Sequence, residues 1–151
     1  MAVVTAKSDL FRDTHGGGSL IDPLISKGRI IVATGIATNA STDENGSSYR
    51  LVELPSDCIL VSGTFFDVQN WGFAQVVIGT KTDTDALVDQ GRTSENIVTP
   101  IVDGDANHKL RLWETLGLSE DPGGVIALFA HAEANATGAG NMPFRIHYLY
   151  N

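Results

Sequence analysis

Cysteine is nearly missing from this chain. Cys58 is its only one, so no disulfide can form within it and no oxidising compartment is required. Aromatic residues make up 7% and charged residues 19%, the latter below the quarter usual for soluble globular chains. With a mean hydropathy of +0.02, this fits a surface partly covered by other protein. Basic residues are also scarce, with ten Lys and Arg against eighteen Asp and Glu, for a formal net charge of −8. They are scattered, as at Arg12, Lys27, Arg50, Lys81 and Arg92. A phosphate backbone needs clustered cations, so nucleic acid is excluded as a direct partner, and so is an anionic membrane surface. No long apolar run is present, and Lys7, Asp9 and Arg12 fall where a signal peptide would place its apolar region. The expectation is a protein with neither a secretory signal nor a transmembrane helix.

Catalytic signatures are missing too. There is no Gly-x-Ser-x-Gly and no phosphate-binding Gly-x-x-x-x-Gly-Lys-Ser/Thr. The glycine-rich Gly138-Ala139-Gly140 precedes a strand rather than a helix and reads as a hairpin loop. His15, His108, His131 and His147 lack a second His or a Cys at metal-ligand spacing. His131 and His147 lie on strands that a sheet could bring together, yet zinc would still want a third ligand. Asp103, Asp105, Asn107 and Glu114 fit positions of a calcium loop, but His108 stands where that loop requires glycine. These residues read instead as helix caps. Asp83, Asp85 and Asp89 read as a solvated acidic loop rather than a catalytic pair. Cys58, inside the run Cys58-Ile59-Leu60-Val61, reads as a small buried hydrophobe. The sequons at Asn39, Asn45 and Asn135 read as polar turn residues. No catalytic, cofactor-binding or metal site is expected, and the protein is not expected to be an enzyme.

What the chain does have is strand signal. Hydrophobic residues make up 42% of 151 residues, enough to build the core of one domain. Residues 1–27 read as an N-terminal arm, with a Gly16-Gly17-Gly18 break and an apolar strip of Leu20, Ile21, Leu24 and Ile25 interrupted by Pro23. That strip can dock on its own domain or on a neighbouring subunit. Residues 28–151 read as a single β domain. Strands are expected over 29–38, 49–54, 59–68 (with Gly63 as a bulge), 73–79, 97–102, 125–132 and 142–150. In 73–79, Ala74, Val76 and Ile78 should share one face. In the last strand Phe144, Ile146, Tyr148 and Tyr150 should do the same. A helix is expected over 108–116, and Trp71 between Asn70 and Gly72 reads as a turn residue available for contact. The expected core includes Ile31, Leu51, Leu60, Val76, Ile78, Leu112, Ile126, Leu128 and Ile146. The fold class is all-β: a jelly-roll-like sandwich or barrel of about seven or eight strands, with one short helix and an extended arm.

Two stretches carry a resemblance. Phe65–Asp89, with Phe-Phe-Asp-Val, Val-Val-Ile-Gly-Thr and Thr-Asp-Ala-Leu-Val-Asp, resembles small structural proteins of tailed bacteriophages. So does Lys109–Gly124, with Leu-Trp-Glu-Thr-Leu-Gly-Leu, followed by a final strand Phe144–Tyr150. The likeness covers roughly residues 50–150 and transfers no site residues. It implies a capsid decoration, or cement, protein: a jelly-roll-type domain on the outside of a phage head that reinforces contacts between major capsid subunits. The implied partners are the major capsid protein and sister copies in a dimer or trimer. The implied location is the capsid surface of a virion assembled in the bacterial cytoplasm. Leu20, Ile21, Leu24, Ile25 and Trp71 are the residues expected to bind partners. A head-fibre, tail or receptor-binding component is the alternative, which would cluster sugar-stacking aromatics such as Trp71 and Trp113. A small carbohydrate-binding jelly roll or enzyme would instead converge His and carboxylates inside the barrel.

Overall fold

The computed structural model of this protein describes residues 2–6 and 22–151. Among these residues nine strands form two antiparallel sheets, packed as a β-sandwich. The first sheet contains β1 (Arg29–Asn39), β9 (Gly140–Tyr150), β4 (Phe65–Asp67) and β7 (Ile97–Val98) in that order, with β3 (Ile59–Leu60) also on β9. The second runs β2 (Ser48–Pro55), β8 (Val125–His131), β5 (Gln75–Gly79) and β6 (Val88–Gly91). Among the described residues two short α-helices, α1 (Pro23–Lys27) and α2 (Leu112–Thr115), and one 3-10 turn, Arg92–Ser94, accompany them.

The β-branched run of β1 and the alternating residues of β9 make the longest ladder, eleven pairs from Arg29↔Tyr150 to Asn39↔Gly140. Inward residues of β1 are small after Ile31, namely Ala33, Gly35 and Ala37. Phe144 uses that space, its ring lying where a Gly35 Cβ would stand, 2.7 Å away. Met142, Phe144 and Ile146 are buried, and Tyr148 and Tyr150 pack against the core, as their alternation predicts.

The expected strand 59–68 is two strands on β9, separated by a turn. Gly63 adopts φ +98°, and a Cβ there would collide with the His147 ring at 2.6 Å. Buried Thr64 patches the gap: its hydroxyl accepts from the His147 N–H at 3.0 Å and lies within donating distance of the His147 carbonyl at 3.2 Å. The ninth strand is β6, inside the expected polar loop 80–94. Val76, Val77 and Ile78 are all buried, so β5 has both faces covered rather than one.

The core contains Leu60, Val76, Ile78, Leu112, Ile126, Leu128 and Ile146, as expected. Two expected members differ. Leu51 is half-buried because the ladder with β8 shifts register between Arg50 and Val52, leaving it as an unpaired bulge residue that packs on the core's margin. Ile31 is half-buried near the start of an outer strand. The expected helix 108–116 shrinks to one turn, since Lys109 adopts φ +63° and ends any helical run before Leu112.

Candidate interaction surface

Where the arm meets the domain, the chain docks on itself. Asp22 caps α1, its Oδ1 accepting from Leu24 N–H at 2.9 Å, and Pro23 takes the first helical position, where a missing N–H costs nothing. Leu24 is buried at 5% exposure. Ile25 lines an apolar crevice with Ile59, Leu60, Val61, Ile101 and Leu149. The other Asp22 oxygen pairs with the Arg111 guanidinium. Leu24 and Ile25 are therefore packed on their own domain in this chain. Leu20 and Ile21 lie outside the described residues.

Trp71 corrects the expected contact set. Its ring is 1% exposed, wedged edge-on to Tyr49 at 5.2 Å and tilted against Phe73 at 5.4 Å. The turn at Asn70-Trp71-Gly72 is real, but it delivers the indole inward. Trp113 is half-buried against the same core, so neither tryptophan stands out as a sugar-stacking platform.

The apolar surface lies elsewhere, on the outer face of the first sheet. Alternation along β1 turns Ile30, Val32 and Ile36 outward, at 63%, 49% and 67% exposure. Beside them a shallow groove is lined by Thr34, Ile36, Phe65, Pro143 and Arg145. The Arg145 guanidinium sits over the Phe65 ring at 5.7 Å, so the groove combines apolar walls with one cation. β-branched residues along β1 make a good strand, and nothing in their identity marks which of the two faces is covered. Period-2 reasoning therefore finds the strand and misses the surface.

The polar candidates are dispersed. His131 and His147 belong to different sheets. The His131 Nε2 is bonded to the Thr80 carbonyl at 2.9 Å, while the His147 ring is tucked beneath the Gly63 turn. Asp105 spends both oxygens on its own loop, accepting from Val102 N–H at 2.9 Å and Asn107 N–H at 2.8 Å. Glu114 accepts from Arg111 N–H at 3.2 Å, capping α2. Asp83 and Asp85 meet, and their shared hydrogen bond foremost holds the Asp83 carboxyl above its usual range. Among the described residues no group of three or more His, Cys, Asp and Glu is placed to hold a metal ion. The Cys58 thiol is fully buried, and that burial pushes it up to about 12, too high for a thiolate nucleophile. Among the described residues no helix is long and apolar enough to cross a membrane.

Asn39 is a structural residue that sequence reasoning took for a turn. It is 3% exposed. Its amide donates to the Gly138 carbonyl at 2.9 Å, and its oxygen accepts from Gly72 N–H at 3.1 Å. One side chain thus ties the end of β1 to two loops. A Cβ on Gly72 would meet the Gly138 carbonyl at 2.2 Å, so glycine is required at this junction.

Compared with family models, curated protein sequences and solved structures, the chain matches none of them.

Proposed function

We propose that this protein is a virion structural protein that binds the outside of a tailed-phage head and stabilises contacts between major capsid subunits. The observation that carries the reading is the apolar outer face of the first sheet, where Ile30, Val32 and Ile36 stand beside the Phe65–Arg145 groove. Exposed large side chains gathered on one face of a rigid sheet suit a protein partner. Burying each would contribute roughly 1.5–3 kcal/mol. The likeness of 65–89 and 109–124 to phage structural proteins supplies the identity of that partner, the major capsid protein. Decoration demands a stable platform and no chemistry, which agrees with the dispersal of the described polar groups. A net charge of −8 argues against a site on packaged DNA.

The test is binding to purified heads that lack the protein, followed by sedimentation and gel quantification of bound copies. The wild-type chain should saturate a fixed number of sites per head. A Val32→Asp/Ile36→Asp variant that stays folded should lose most of that occupancy. Equal occupancy by the variant, or no binding by the wild type, would remove this reading.

A further inference from the structure

β1 is the outermost strand of its sheet. All eleven of its residues ladder to β9 on one side, and among the described residues no strand pairs with the other side. Such an edge leaves a row of backbone N–H and C=O groups without strand partners, which proteins usually blunt with proline, charge or a bulge. β1 has no proline, its register with β9 is unbroken, and Arg29 at its first position is its only charge. The outward side chains Ile30, Val32 and Ile36 add apolar surface along this edge.

The chain also carries a segment suited to such an edge. Ala2-Val3-Val4-Thr5-Ala6 is uncharged, and its three central residues are β-branched. Val3 and Val4 are 102% and 77% exposed, so this segment does not lie on its own chain's sheet. Fifteen residues separate Ala6 from Asp22. Fifteen residues of any chain can span up to about 54 Å, so the sequence distance does not confine residues 2–6 to their own molecule. From Asp22 onward the chain is fastened to the domain by α1, immediately before β1, through buried Leu24 and the Asp22–Arg111 pair.

We infer that residues 2–6 of one copy add as a strand to the free edge of β1 in a second copy, so that the protein self-associates by strand exchange. Main-chain hydrogen bonds supply affinity in this mode, and alternate side chains supply register. One valine of the segment then extends the Ile30–Val32–Ile36 stripe. Because each copy has both a segment and an edge, reciprocal exchange closes a dimer and sequential exchange closes a ring. This association needs no phage head, and it stands or falls independently of the capsid reading.

The experiment is sedimentation of the purified chain beside two variants, a deletion of residues 2–6 and Val32→Lys/Ile36→Lys, with circular dichroism to confirm that both keep their sheet. The intact chain should be oligomeric and both variants monomeric. A second arm mixes a Val4→Cys chain with a Thr34→Cys chain and adds a short bismaleimide. Cys58 is fully buried and will not compete. A product joining the two different chains supports exchange. A monomeric intact chain overturns the inference, as does an oligomer that survives the deletion. So does a Val4→Cys/Thr34→Cys double variant that closes only within one chain.

Discussion

Arg111 reaches back across 89 residues of chain to pair with Asp22, while its other terminal nitrogen donates to the Asp57 carbonyl at 2.8 Å. The pair is partly shielded, with side-chain exposures of 27% and 29%, and it fastens α1 to the β domain. Arg111→Ala should therefore lower stability by about 1 kcal/mol. It should also speed hydrogen exchange at Gly28, whose N–H donates to the Leu24 carbonyl at 2.9 Å. Unchanged exchange at Gly28 would show that Leu24 alone holds the helix.

The same attachment separates two truncations. Deleting residues 1–19 keeps Asp22, Leu24 and Arg111, so it should lower the melting temperature by no more than deleting residues 2–6 does. Deleting 1–25 removes the cap, the ion pair and a buried leucine, and should cost about 2–4 kcal/mol. Thermal melts of the two proteins decide it, and equal melting temperatures would contradict the docking of α1.

Asn39 offers a sharper test of how the loops are held. Asn39→Ala leaves the Gly72 N–H and the Gly138 carbonyl without this partner in a closed site, at an expected cost of about 1–3 kcal/mol. Asn39→Asp keeps the acceptor for Gly72 but sets a buried carboxylate against the Gly138 and Ala40 carbonyl oxygens, so it should be at least as destabilising as alanine. Urea midpoints of the three proteins measure this, and an alanine variant as stable as the wild type would refute the role.

Legibility in the sequence followed how much each residue's own chemistry decides. β1, β8 and β9 were plain because β-branched runs and strict alternation leave no helical option, and their observed bounds differ from expectation by only a residue or two. β6 was invisible: Val88-Asp89-Gln90-Gly91 contains one apolar residue, and it becomes a strand by pairing with β5. Trp71 was misjudged because Asn70 and Gly72 report the backbone's turn, not the direction of the ring between them. Of the expected contact residues, Leu24 and Ile25 turn to their own domain. The Ile30–Val32–Ile36 surface needed the fold, since only sheet packing shows which face of β1 is left uncovered.

A pH dependence follows from Tyr49, whose hydroxyl donates to Asp43 at 2.5 Å. Burial first, and then the adjacent carboxylate, raise the Tyr49 phenol above its ordinary range. The hydrogen bond from Tyr49 foremost lowers the Asp43 carboxyl. The tyrosine's contribution is complete below about pH 10 and is lost as pH climbs through its raised folded value. The aspartate's contribution is present above about pH 4 and is lost as pH falls through its lowered folded value. Tyr49→Phe keeps the ring against Trp71 and Phe73, abolishes the tyrosine's effect and weakens the aspartate's, which retains the bond from Ala40 N–H. The difference in unfolding midpoint between wild type and variant should be widest near neutrality and narrow at both extremes. A difference constant with pH would mean the bond contributes nothing.

The most direct measurement of the central claim is the number of copies bound per purified head, for wild type against Val32→Asp/Ile36→Asp, with folding of both verified by circular dichroism. Saturable binding by the wild type and its loss in the folded variant are the predicted result. Heads that take up both proteins equally, or neither, would contradict a capsid-decorating role for the outer face of β1.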